Sequence, residues 1–171
     1  MSLFAALIVL MQANTAIPDP SQRLEPGRWI LRTTIERATG LGGVSASLQS
    51  NDRQYRLVVR CDFAYASNIS IQFMRDVGNI PATALPAIVL TEPGKVELDL
   101  EWEETPAGVF ARDSDFAPTA TAAAAFLQGY HGELHVNAHD KEGRAIRADF
   151  DALAGHAAIG QILDRCSAAN G

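Results

Sequence analysis

Cysteine is scarce in this chain. Only Cys61 and Cys166 occur among 171 residues, with no CxxC pair, so the usual dithiol redox motif is excluded. Positive charge is in the minority: 14 Lys and Arg stand against 20 Asp and Glu, for a net charge of −6. An acidic surface repels phosphate backbones, which argues against nucleic acid as a partner and disfavours anionic membrane surfaces. No apolar run approaches the roughly 20 residues needed to span a bilayer as a helix. Catalytic signatures are missing too. There is no Gly-x-Ser-x-Gly elbow, no phosphate-binding loop and no dinucleotide fingerprint. Nothing marks two of the carboxylates as a pair for glycoside hydrolysis.

What is present reads as an ordinary folded protein. Apolar residues make up 47% and charged residues 20%, enough for one domain with a core of its own. Residues 1–16, MSLFAALIVLMQANTA, hold an apolar run from Leu3 to Met11 followed by small residues at Ala13 and Ala16. That pattern predicts a signal peptide, although no Lys or Arg precedes the run. The other reading is an N-terminal strand or helix packed on the core. No cysteine follows the run, which speaks against a lipid anchor. Residues 17–28 are rich in Pro and polar groups and read as an irregular lead-in; residues 29–171 read as one domain, with no integral membrane segment in the mature chain.

Within that domain, period-2 alternation dominates. It predicts strands over Trp29–Ile35, Val44–Gln49, Gln54–Cys61, Ile69–Phe73, Val109–Arg112, Glu133–Asn137 and Arg144–Phe150, with a short one at Ala87–Leu90. Asn51-Asp52 marks the turn of a hairpin. Pro81 and Pro86 bracket a loop, and Glu92-Pro93-Gly94-Lys95 is a turn. The clearest alternation runs from Val96 to Glu103, with Val96, Leu98, Leu100 and Trp102 inward. The alanine-rich stretch 119–128 predicts a helix that Thr119 caps and Gly129 ends. A second helix, about 155–166, places Leu153, Ile159, Ile162, Leu163 and Cys166 at helical spacing. About eight short strands with frequent turns predict a mainly β fold, an antiparallel β-sandwich carrying two short helices. Trp29 and Trp102 are expected to anchor its core, the rival reading being a stacking platform for sugars or peptides.

Two cysteines in an exported chain predict one disulfide, Cys61 to Cys166, tying a core strand to the C-terminal helix. Two buried free thiols are the alternative.

The block YRLVVRCDFAYASNISIQF resembles the leucine, basic, cysteine, polar-turn and alternating-strand block of the VasI-like family, exported proteins associated with type VI secretion, and of the related invasion-associated locus B family. The ending RADFDALAGHAAIGQILDRC is similar to that family's strand, Phe-Asp, Gly, helix and final Cys. The resemblance implies a periplasmic or secreted accessory protein, with an envelope or secretion-system protein as partner. It carries over no catalytic residues and no cofactor.

Three surfaces remain as candidates for chemistry. The stripe Glu97, Asp99, Glu101 and Glu103 faces outward on one predicted strand and is a candidate partner-binding face, or a solvated one. His131, Glu133, His135, Asn137 and His139 fall on alternate positions; His131, Glu133 and His135 are candidate metal ligands. Residues four apart on a strand lie about 13 Å apart, too far for His131 and His135 to share one ion at ~2.1 Å. A site there needs ligands from elsewhere, His156 being the one distant histidine, and a polar solvated face is the simpler reading. Asp113-Ser114-Asp115 lies in a calcium-like loop context without the other ligands. The expected function is therefore binding without catalysis. The alternatives are a metal-binding protein or metal-dependent enzyme built on His131, Glu133 and His135, or a small-ligand carrier with an apolar pocket between the sheets.

Overall fold

The structure, a computed structural model, describes residues 27–35, 42–63, 68–75, 84–90, 96–98, 100, 102–105, 108–113, 119–139, 144–153 and 155–168. The predicted leader, most of the lead-in, the 92–95 turn, Asp99, Glu101 and Asp115 lie outside them. The described elements run β1 (Ile30–Ile35), β2 (Gly42–Gln49), β3 (Tyr55–Asp62), β4 (Asn68–Arg75), β5 (Ala84–Leu90), β6 (Val96–Leu98), β7 (Trp102–Thr105), β8 (Gly108–Arg112), α1 (Thr119–Gly129), β9 (Gly132–His139), β10 (Ala145–Ala152) and α2 (His156–Ala168).

All strand pairs are antiparallel, in two sheets: β1-β2-β3-β4-β8-β7 and β10-β9-β5-β6. This is the expected mainly β fold with two helices. The β2–β3 hairpin closes through the predicted Asn51-Asp52 turn. There Ser50 Oγ donates to Asp52 Oδ1 at 2.6 Å, and Asp52 Oδ1 also accepts from the Gln54 N–H at 3.0 Å. Arg53 takes the left-handed conformation at φ 61°.

In β3 the alternation largely works as expected: Tyr55, Leu57, Val59 and Cys61 are buried and Arg56 and Arg60 are half-exposed, but Val58 on the arginine side is buried too. Tyr55 stacks on Phe73 of β4 at 5.2 Å between ring centroids. The buried face of this sheet receives both helices: α2 packs against β1 to β4, and α1 against β4 and β8. The apolar stripe of α1, Ala120, Ala123, Ala124 and Leu127, follows the i, i+3, i+4, i+7 rule. Small side chains there let helix and sheet approach closely. The two helices also pack on each other, and a Cβ at Gly160 of α2 would lie 2.9 Å from Gln128 Nε2 of α1. Leu134, Val136 and Ala138 of β9, with Ile146, Ala148 and Phe150 of β10, join the same hydrophobic core as Val44, Leu57 and Ile159. The two sheets therefore share one interior. Trp29 and Trp102, each 6% exposed, belong to it as anticipated.

Four local expectations change. The single strand Val96–Glu103 is two: β6 pairs with β5 in the four-stranded sheet, while β7 pairs with β8 in the six-stranded one. Unbroken alternation specifies a face, not a partner, so it passes through a change of sheet unmarked. Buried Leu100 lies between the two strands. Second, β5 begins at Ala84 and runs through Pro86. Its register with β9 shifts between Ala84 and Ala87, the irregularity at which a residue without an N–H is tolerated. Third, Leu153 is not on the apolar stripe of α2. It precedes the helix, forms a parallel bridge with Arg28 and is 58% exposed. Fourth, the N–H of Thr121 near the start of α1 is capped from a distance. Asp113 Oδ1 accepts from it at 2.9 Å, and Asp113 Oδ2 accepts from the Thr121 hydroxyl. A carboxylate suits a helix N-terminus, where orphan N–H groups and the dipole both favour negative charge.

Candidate functional site

Cys61 and Cys166 are bonded, with their Cα atoms 5.8 Å apart and 105 residues between them in sequence. Cys61 sits between Val44 of β2 and Ile69 of β4 in the ladder. Both half-cystines are buried, so the bond is a staple inside the core. It presents no sulfur to a substrate.

Titratable side chains converge on the polar face of the four-stranded sheet. β9 buries Leu134, Val136 and Ala138 and turns Glu133, His135 and Asn137 outward. β10 pairs with it so that Asp149 stands opposite His135, Arg147 opposite Asn137, and Asp151 opposite Glu133. His135 Nδ1 lies 2.5 Å from Asp149 Oδ1, and Arg147 Nε donates to the same oxygen at 2.9 Å. With the carboxylate ionised, Nδ1 is the donating nitrogen. His135 Nε2 then faces Glu133 Oε2, 4.0 Å away. Burial pushes the Asp149 carboxyl up, but the hydrogen bonds and charges of Arg147 and His135 outweigh it, and the net shift is downward. The His135 side chain is only 15% exposed, whereas Asp149 is 45% and Glu133 69% exposed.

Of the five residues expected on this face, the structure places three there. Glu133, His135 and Asn137 share it; His131 does not, because it precedes β9 and is exposed. His139 ends the strand. Among the described residues, no group of three or more His, Cys, Asp or Glu side chains is placed to hold a metal ion. His156 opens α2, which packs on the other sheet. What the arrangement does is orient an imidazole by a carboxylate that is itself held by an arginine. That is a common way of fixing a ring and its tautomer.

Sequence reading missed Asp149 and Arg147 as partners of His135. Their outward alternation in RADFD was visible. The pairing depends on the hairpin register across the 140–143 connection, which alternation alone does not supply.

The acidic stripe does not lie on one strand. Glu97 lies on β6 and Glu103, exposed, on β7, in different sheets; Asp99 and Glu101 are outside the described residues. Asp113 is committed to α1. No helix among the described residues is long and apolar enough to cross a membrane. Compared with known proteins, the chain matches no family model, no curated protein and no solved structure.

Proposed function

We propose that this chain is an exported, periplasmic or secreted accessory protein that works by binding another protein rather than by catalysis. In the direction the VasI-like resemblance implies, its partner belongs to the envelope or to a secretion system. The observation that carries the reading is the buried Cys61–Cys166 disulfide. Structural disulfides persist in oxidising compartments and are rare in reducing ones, which agrees with the leader-like pattern of residues 1–16. The His135–Asp149–Arg147 group supports the non-catalytic half of the reading. His135 and Arg147 both bond Asp149 Oδ1, so the group reads as a fastening between neighbouring strands.

The test is intact-mass analysis of the chain expressed with its leader and recovered from the periplasm, before and after thiol alkylation under denaturing conditions. Loss of the leader together with two unmodified cysteines is the expected result. A retained leader with two alkylated thiols overturns the export reading and the family link with it. The same spectra under native conditions examine the second reading, a metal site that includes Glu133 and His135. That reading draws on the Asp149-oriented imidazole, whose Nε2 faces a carboxylate. A retained zinc ion lost in His135→Ala would establish it.

A further inference from the structure

The face of the six-stranded sheet turned away from the helices carries an arrangement that appears only when the registers are combined. Arg32 of β1 is paired with Ser45 of β2, Ser45 with Arg60 of β3, Arg60 with Ser70 of β4, and Ser70 with Arg112 of β8. Directly opposed residues point to the same side of a sheet. These five side chains therefore form one row across five strands, arginine alternating with serine. Arg32 and Arg60 are half-exposed and Arg112 exposed, while Ser70, between Arg60 and Arg112, is 6% exposed. Long cationic side chains thus alternate with low ones.

Two of the arginines are held in place. Arg112 lies over the Phe110 ring, 4.2 Å from its centroid, a stacking that orders the guanidinium and leaves its edge able to donate. Arg60 Nε donates to Asp62 Oδ1 at 2.7 Å, and its terminal nitrogen lies 2.5 Å from the same oxygen. Asp62 and the exposed Glu103 temper the charge of this face, but three guanidiniums in line are set against a chain of net charge −6. The contrast points to an anionic occupant.

Spacing narrows the choice. Strands lie about 4.8 Å apart, so arginines on alternate strands recur every ~9.6 Å. A polyproline II chain rises about 3.1 Å per residue with three residues per turn, so every third side chain returns to one side after ~9.3 Å. A nucleic acid strand carries a charge at every ~3.4 Å step, so two phosphates in three would face the low serines without a guanidinium.

We propose that the Arg32–Arg60–Arg112 row is a docking surface for an acidic polypeptide segment of the partner protein. The segment is extended, crosses the strands, and carries a carboxylate at every third residue. This rests on the reading that the chain acts by binding a protein, and it supplies the chemistry of that partner. Each carboxylate meets a planar guanidinium, the geometry that favours paired hydrogen bonds, and the serine hydroxyls between them face the peptide backbone.

The test uses the disulfide-intact full chain and a labelled peptide of about five Pro-Pro-Glu repeats, with fluorescence anisotropy at low and physiological salt. The comparison peptide has the same composition with its glutamates contiguous. The repeat peptide is expected to bind about tenfold tighter than the contiguous one. The double variant Arg32→Gln/Arg112→Gln is expected to lose about tenfold, with circular dichroism unchanged. Arg53→Gln, in the β2–β3 turn, removes a charge away from the row and is expected to leave binding unaltered. Equal binding of the two peptides, no binding of either, or an equal loss in Arg53→Gln overturns the proposal. So does tighter, row-dependent binding of a sulfated oligosaccharide or an oligonucleotide. If the chain proves unexported while the repeat peptide still binds through the row, the compartment reading falls alone. If export and oxidation hold and neither peptide binds, only the row falls.

Discussion

The two sheets place their polar chemistry under opposite conditions. In the six-stranded sheet, the inner face carries two helices and the disulfide at Cys61, and the outer face carries the row of Arg32, Arg60 and Arg112 on alternate strands. In the four-stranded sheet the charges are concentrated. Asp149 accepts from both Arg147 and His135 at one oxygen. Charges gathered at one oxygen satisfy one another; in the row Arg60 is likewise tied to Asp62, while the exposed Arg112 is stacked on Phe110 with its edge turned to a ligand. For that reason the His135 cluster serves better as a fastening between β9 and β10 than as a site, and the arginine row better as a site than as a fastening.

The largest effects should show whether the two sheets are energetically separate. Phe73 belongs to one and Phe150 to the other, and both are fully buried in a shared core. Phe73→Ala and Phe150→Ala should each cost about 3–5 kcal/mol and shift a single denaturant transition. Two transitions, with each variant moving only one, would show that the sheets unfold as separate units.

Next in size is the staple. A closed loop of about 100 residues is worth about 4.7 kcal/mol in the chain-entropy model, with typical measured values of 2–4 kcal/mol. Reduction, or the pair Cys61→Ala/Cys166→Ala, should therefore lower unfolding stability by about 2–4 kcal/mol in urea melts. A change within experimental scatter would mean that packing of α2 alone secures the helix to the sheet. Asp113→Ala should cost about 1 kcal/mol, as the loss of a helix cap does, and amide exchange should rise in the first turn of α1.

The smallest effect should come from the polar face of the four-stranded sheet. Asp149 is depressed, so its contribution is present above the ordinary carboxylate range and is lost as pH falls through its lowered native value. Because the group is 45% exposed, salt screens much of it. Asp149→Asn should leave neutral stability nearly unchanged and flatten the acid limb below about pH 4. A large loss at neutral pH would show the cluster to be a structural keystone after all.

Much of the scaffold is legible in the chain. Tyr55-Arg-Leu-Val-Val-Arg-Cys61 announces a half-buried strand, and Ala120, Ala123, Ala124 and Leu127 announce one helical face. Two cysteines with a leader-like start announce one bridge. Each depends on residues near in sequence, or on there being a single way to pair. The failures are equally specific. Val96 to Glu103 alternates without a break while its two halves pair in different sheets. Asp113 reaches eight residues forward to Thr121, and Leu153 fits a helical spacing that it does not occupy.

The sequence by itself determined which side of each strand is apolar, where the helices lie, that the two cysteines have only each other, and that the chain is acidic. These follow from side-chain period and composition, which are local properties. Only the tertiary structure decided which strand lies beside which. That choice set His135 against Asp149, divided Glu97 from Glu103, and aligned Arg32, Arg60 and Arg112 across five strands. A slip of one residue in any of those pairings would place the arginines on opposite faces. The row exists because a shared core fixes every register at once, and no single strand encodes it.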